Sequence, residues 1–206
     1  MITIIDYGVG NLRSVAKAFE FLGFEAQITS DPNSVLKAEK VVLPGVGAFG
    51  RSMENLNRAG MTPVVKEFIA TGKPFLGICL GLQMLFEESY EFFGDQQTTF
   101  KGLGIFRGQV LRFPASSLKV PQIGWNQISF TRDSALLKEV PDGSYVYFVH
   151  SYYVKPEHPE LISCQTNYGI EYCSGISHGN VHAMQFHPEK SSSVGMQILT
   201  NFGKLY

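Results

Sequence analysis

Pro74-Phe75-Leu76-Gly77-Ile78-Cys79-Leu80-Gly81-Leu82-Gln83-Met84 is the stretch of this 206-residue chain from which its fold can be read. Residues 74–78 form an apolar run opened by proline, the pattern of a buried strand. Gly77 and Gly81 then bracket Cys79, and helix-forming residues continue through Gln83, Met84 and Phe86. A strand that passes through a tight turn directly into a helix is half of a parallel βα unit. The turn lifts its central residue above the sheet, and glycine is needed on both sides because neighbouring Cβ atoms would collide there. The N–H groups at a helix N-terminus favour thiolate over thiol. A lone cysteine is more often a small buried hydrophobe, but this setting makes Cys79 the candidate nucleophile.

The same grammar runs outward to the N-terminus. Residues 2–5 read as a strand, and Asn11 caps a helix with Leu12, Val15, Ala16, Phe19 and Leu22 on one face. Residues 24–28 and 40–43 read as further strands, the second closed abruptly by Pro44-Gly45-Val46-Gly47. Thr62-Pro63 is a cap and first-turn signature for a helix that carries Val64, Val65, Phe68 and Ile69 and ends at Gly72. Strands separated by helices pair in parallel, with right-handed crossovers and helices on both faces. Beyond residue 100 the strand signals crowd together, at 104–113, 123–130, 145–154, 161–167 and 181–186, and only 134–139 and 194–206 look helical. The expected architecture is therefore α/β. It has a mixed, largely parallel central sheet with flanking helices and antiparallel strands in the C-terminal half. With no linker or repeat, residues 1–206 read as a single domain.

Composition narrows the function. A hydrophobic content of 44% supplies a core without staples, and a net charge of −1 with scattered Lys and Arg argues against nucleic-acid binding. Residues 1–7 lack a signal peptide's basic flank and long apolar run. No stretch approaches the roughly 20 apolar residues of a membrane span, so no membrane association is expected. Three cysteines, Cys79, Cys164 and Cys173, cannot all pair with one another, which argues against a disulfide framework and suits a reducing cytoplasm. Cys164, Cys173, His178 and His182 loosely suggest a zinc site, but without a close cysteine pair no metal is expected. No Gly-Lys-Ser/Thr follows any glycine cluster, so no nucleotide cofactor is expected either.

A cysteine nucleophile needs a base, and the histidines are His150, His158, His178, His182 and His187. In His187-Pro188-Glu189 a carboxylate stands two residues from an imidazole at the end of an apolar strand. It can fix the tautomer and stabilise the imidazolium. Spacing alone reads equally well as a turn with an ordinary His and Glu.

Together, the Cys79 turn, the His187-Pro188-Glu189 terminus and the Pro44-Gly45-Val46-Gly47 loop resemble the class I, triad-type glutamine amidotransferases over essentially the whole chain. Ile5-Asp6-Tyr7-Gly8-Val9-Gly10-Asn11, Leu43-Pro44-Gly45-Val46-Gly47-Ala48-Phe49 and Pro121-Gln122-Ile123-Gly124-Trp125-Asn126 carry a narrower likeness, to the glutaminase subunits of imidazole glycerol phosphate synthases. The resemblance implies a triad of Cys79, His187 and Glu189 acting on L-glutamine without cofactor or metal. It implies oxyanion donors in the backbone of Leu80 and of Val46 and Gly47, a loop that would otherwise be a bare tight turn. Gln83, Glu91, Ser151 and Tyr152 would recognise the substrate, with Glu91 facing its ammonium group, although Gln83 and Glu91 pass equally as surface residues. The implied partner is a cyclase subunit with a β/α-barrel fold, forming a heterodimer that uses the ammonia. Trp125, residues 6–11 and residues 48–49 are candidates for its docking face, with core packing as their other reading. Two alternatives stay open at this point: a glutaminase serving another ammonia-using synthase, and a non-catalytic regulatory subunit of the same fold.

Overall fold

The computed structural model describes residues 1–93, 96–115 and 118–205. Its first half is β1 (Ile2–Ile5), α1 (Leu12–Phe21), β2 (Ala26–Thr29), α2 (Pro32–Lys37), β3 (Lys40–Gly45), α3 (Phe49–Arg58), α4 (Met61–Ala70), β4 (Phe75–Cys79) and α5 (Leu80–Met84). The hairpin β5 (Phe86–Phe93) and β6 (Gln96–Lys101) follows, then β7 (Phe106–Arg112), β8 (Gln122–Gln127), β9 (Ser129–Phe130), β10 (Tyr145–His150) and β11 (Tyr152–Pro156). The chain closes with β12 (Ile162–Asn167), β13 (Glu171–His178), β14 (Val181–Met184) and α6 (Ser192–Gly203).

A twelve-stranded sheet runs β2-β1-β3-β4-β14-β13-β11-β7-β5-β6, with β12 and β9 branching from β13. Its first five strands are parallel throughout. From β14 to β13, β11 and β7 the pairing is antiparallel. A sheet covered on both faces needs strands that are apolar at successive positions, and alternate residues indeed go to opposite layers. Ile5, Val41, Leu43 and Phe75 pack under α2, α3 and α4, whereas Ile4, Val42, Leu76 and Ile78 pack under α1 and α6. Burying each such side chain stabilises the fold by about 1.5–3 kcal/mol. These two layers fix the carboxyl ends of β3, β4 and β14 side by side.

Several elements depart from the sequence expectation. The helix after Cys79 stops at Met84, and Phe86 opens β5, which pairs with β6 and β7. Five residues cannot build the macrodipole of a long helix, so only its local N–H groups act at Cys79. Thr62 is not a cap, because α4 starts at Met61 behind Gly60, which holds the left-handed conformation (φ 70°) that glycine adopts without strain. Asn11 does stand at the N-cap of α1, but its side chain makes no capping bond. The 145–154 stretch is two strands: β10 pairs with β8 in a separate ribbon, and β11 enters the main sheet, with Ser151 at the break. The 123–130 stretch likewise breaks at Ile128. Only Ala135–Leu137 of the 134–139 helix forms, as a 3-10 turn, and Tyr206 lies outside the described residues. β13 carries no distinct strand signal in the sequence.

Candidate active site

Parallel pairing assembles the site. Gly45 lies opposite Cys79 across β3 and β4, and Met184 lies opposite Ile78 across β4 and β14. One step further along each strand brings residues 45–47, Cys79 and residues 185–187 to one carboxyl edge, where open α/β sheets place their sites.

Cys79 itself has φ 54° and ψ −109°, outside the conformations an L-residue normally holds. The neighbouring glycines show what keeps it there. A Cβ on Gly81 would stand 1.9 Å from the Leu43 carbonyl oxygen, and one on Gly77 would stand 2.8 Å from the Gly81 carbonyl oxygen. The turn therefore packs backbone against backbone, and the surrounding layers hold the strain in place.

His187 and Glu189 follow β14. His187 Nδ1 lies 2.9 Å from Glu189 Oε1, with both side chains almost wholly buried. Ser191 fixes this corner: its hydroxyl donates to the His187 carbonyl (2.6 Å) and accepts from the Tyr147 N–H (3.0 Å). Burial alone would depress the imidazole, but Cys79 and Glu189 outweigh it and push His187 up to about 10. Glu189 thus orients the ring through Nδ1, leaving Nε2, which has no other side-chain partner among the described residues, for the sulfur side.

These groups open into a cleft of about 560 Å³ lined by Val46, Gly47, Cys79, Leu80, Gln83, Glu91, Ser151, Tyr152 and His187, among others. Every residue expected at the site is therefore gathered around one cavity, except Glu189, which stands behind His187. Glu91 has a second occupation that its sequence context did not signal. Its two oxygens accept from the N–H groups of Phe49 (2.7 Å) and Gly50 (3.0 Å), capping α3 where Ala48 offers no side-chain cap. A carboxylate at that helix end is favoured by unpaired N–H groups and by the dipole.

The 45–47 loop is tied at both ends. The Tyr7 hydroxyl donates to the Pro44 carbonyl (2.9 Å), and the Ser52 hydroxyl reaches the Val46 carbonyl (3.5 Å). Burial raises the Tyr7 phenol well above its ordinary range, so it remains a donor. Gly47 holds φ 92°, which a side chain would strain.

Sequence reasoning also missed a polar network beneath the cleft. His150 Nδ1 lies 2.8 Å from the Tyr152 carbonyl, and its Nε2 lies 3.2 Å from the Tyr172 hydroxyl, which contacts Gln122 Oε1 at 2.9 Å. Burial lowers His150 to about 4, so the ring is neutral and donates through Nδ1. Tyr172 can donate to its Nε2 once the Gln122 amide is turned, and the same turn gives Gln122 Nε2, otherwise unpaired among the described residues, a partner.

The cysteine and histidine set with zinc-like spacing is dispersed into packing. Cys164 and Cys173 are buried thiols, His182 pairs with Ser177 (2.7 Å) and His178 packs edge-on to Phe106. Among the described residues no helix is long and apolar enough to cross a membrane. Of the candidate docking residues, Phe49 is buried in the core and unavailable, whereas Trp125 is half exposed beside exposed Ile123 and Tyr145.

The chain is 50% identical over 210 residues to the imidazole glycerol phosphate synthase subunit HisH of Geobacter sulfurreducens, covering 99% of this chain and 98% of that one. It is 48% identical over 205 residues to the subunit of the same name from Chlorobaculum tepidum, covering 99% and 100%. Among solved structures, PurLQS from Thermotoga maritima superposes with a TM-score of 0.75 at 17% identity, covering 98% of this chain and 96% of that one, which speaks to the fold. Residues 3–205 match the family model described as glutamine amidotransferase class-I, and the chain belongs to that family.

Proposed function

We propose that this chain is the glutaminase subunit of an imidazole glycerol phosphate synthase in histidine biosynthesis. It hydrolyses L-glutamine to L-glutamate and ammonia and hands the ammonia to a cyclase subunit. The observation that carries the reading is the register of β3, β4 and β14, which faces the Cys79 sulfur with a Glu189-oriented His187 and a glycine-rich loop.

The Cys79 thiolate attacks the side-chain amide carbon of glutamine, and the carbonyl oxygen becomes an oxyanion. The N–H of Leu80 and those of Val46 and Gly47 are the donors for it. Protonated His187 gives its proton to the departing nitrogen, the C–N bond breaks, and ammonia leaves behind a thioester. A water then loses a proton to His187 and attacks the thioester through a second oxyanion. The C–S bond breaks, glutamate leaves and the thiolate returns. Gln83, Ser151 and Tyr152 position the substrate, and Glu91 offers its remaining lone pairs to the α-ammonium.

Ammonia released into water at neutral pH is largely protonated and lost as a nucleophile. This chain therefore works in a heterodimer with a β/α-barrel cyclase, which combines the ammonia with a phosphoribosyl-linked intermediate to form imidazole glycerol phosphate and an aminoimidazole carboxamide ribonucleotide. The half-exposed Trp125 and its neighbours Ile123 and Tyr145 are the docking candidates, and a reducing cytoplasm is the compartment.

A glutamine analogue carrying a diazoketone in place of the amide tests the site. One adduct per chain should form on Cys79, be blocked by excess glutamine and be absent in Cys79→Ala. Labelling elsewhere with Cys79 left free would overturn the assignment.

A further inference from the structure

Gln185 has no part in the steps above, yet it is wholly buried and its side-chain Nε2 lies 3.7 Å from the Cys79 sulfur. Its place follows from register: Met184 pairs with Ile78, so the next residue on each chain, Gln185 and Cys79, are neighbours across the same edge. The Gln185 backbone N–H is held by the Ser174 carbonyl (2.9 Å), which fixes the residue beyond the end of β14.

Which end of the Gln185 amide meets the sulfur is settled by its neighbours. A backbone carbonyl can only accept, so the Gln83 atom 3.0 Å from the Tyr152 carbonyl must be its NH₂. That same nitrogen lies 2.9 Å from the Gln185 amide, which must present oxygen to it. The other end of Gln185, its NH₂, is then turned to Cys79. The orientation is dictated by the Tyr152 carbonyl through two rigidly linked amides. An N–H aimed at sulfur stabilises the thiolate more than the thiol, because hydrogen bonds to ionised acceptors are about twice as strong as neutral ones.

We infer that Gln185 is a catalytic residue of this site: its side-chain amide, locked by Gln83 and the Tyr152 carbonyl, donates a hydrogen bond to the Cys79 thiolate. This rests on the glutaminase reading, in which Cys79 is the nucleophile. Because Tyr152 and Gln83 also line the cleft, the relay joins the substrate-facing wall to the reacting sulfur.

The test is the pH dependence of Cys79 alkylation by iodoacetamide in the full chain, which reads thiolate without needing glutamine. Gln185→Met keeps length and apolar bulk but removes the donor. The midpoint of its alkylation curve should move up by about one pH unit, and kcat at neutral pH should fall about tenfold while KM for glutamine stays within about twofold. Gln83→Leu, which keeps Gln185 but releases its amide, should shift the alkylation midpoint in the same direction by less, and serves if Gln185→Met does not fold. An unchanged midpoint in a folded variant overturns the role of Gln185 alone. Glutamine hydrolysis that persists in Cys79→Ala overturns the underlying reading instead.

Discussion

At His187 three influences meet within a few ångströms. Burial opposes its charge, and Cys79 and Glu189 favour it strongly enough to raise the ring to about 10, against 6.5 in the unfolded chain. A group whose folded value is raised stabilises the fold fully below the unfolded value, and that contribution fades as pH rises from about 6.5 to about 10. Glu189→Gln removes one of the two favourable partners. Urea unfolding should show it destabilised by about 1–3 kcal/mol at pH 6, with the difference shrinking towards pH 10. A deficit that grows with pH would contradict the pairing. The same variant should lose roughly two orders of magnitude or more in kcat for glutamine, since a ring that is no longer oriented serves poorly as acid and base.

The elements decide how closely that ring and the sulfur can be held. The turn at Cys79 works only because β3 and α5 touch backbone to backbone at Gly81, so Gly81→Ala must push one of them away. The expected cost is about 3 kcal/mol in urea denaturation, with glutaminase activity falling further than stability alone explains. Ser191→Ala removes the bridge between the His187 carbonyl and β10, and should cost about 1–3 kcal/mol by the same measurement. Full stability in either variant would show that the corner is not held as described. Gly77 and Gly81 are legible because a turn that tight imposes them within five residues. The adjacency of Gln185 to Cys79 is not, because it arises from parallel pairing of strands more than 100 residues apart in the chain. Only the family resemblance puts Glu91 at the cleft, and nothing in the sequence marks it as the cap of α3, since a cap normally comes from the residue beside the helix. The β5–β6 hairpin escaped notice for a similar reason: Phe86, Glu87 and Glu88 continue a helical pattern that tertiary pairing overrides.

Across the whole molecule, two more buried rings set the acid limit. Burial, reinforced by His187 at one ring and by Arg132 at the other, lowers His150 and His182 to about 4 against 6.5 in the unfolded chain. Their sign is opposite to that of His187. Their contribution is complete above about pH 6.5 and is lost as pH falls towards 4, because the unfolded chain takes up protons first. The urea midpoint should therefore drop between pH 7 and pH 5. A midpoint that holds or rises over this interval would contradict neutral burial of both rings. At the same scale, the β8–β10 ribbon carries exposed Trp125, Ile123 and Tyr145 on its surface and Gln122, next to His150's partner Tyr172, on its inner side.

Glutamate release from glutamine reports both on Cys79 as the nucleophile and on coupling to a cyclase. Wild type and Cys79→Ala would each be assayed alone and with a purified cyclase subunit carrying its phosphoribosyl-linked acceptor. Release is expected to rise when the occupied cyclase is added and to be absent from Cys79→Ala in every condition. Release that survives in Cys79→Ala contradicts the chemistry, and release that depends on Cys79 but ignores the cyclase contradicts the partner.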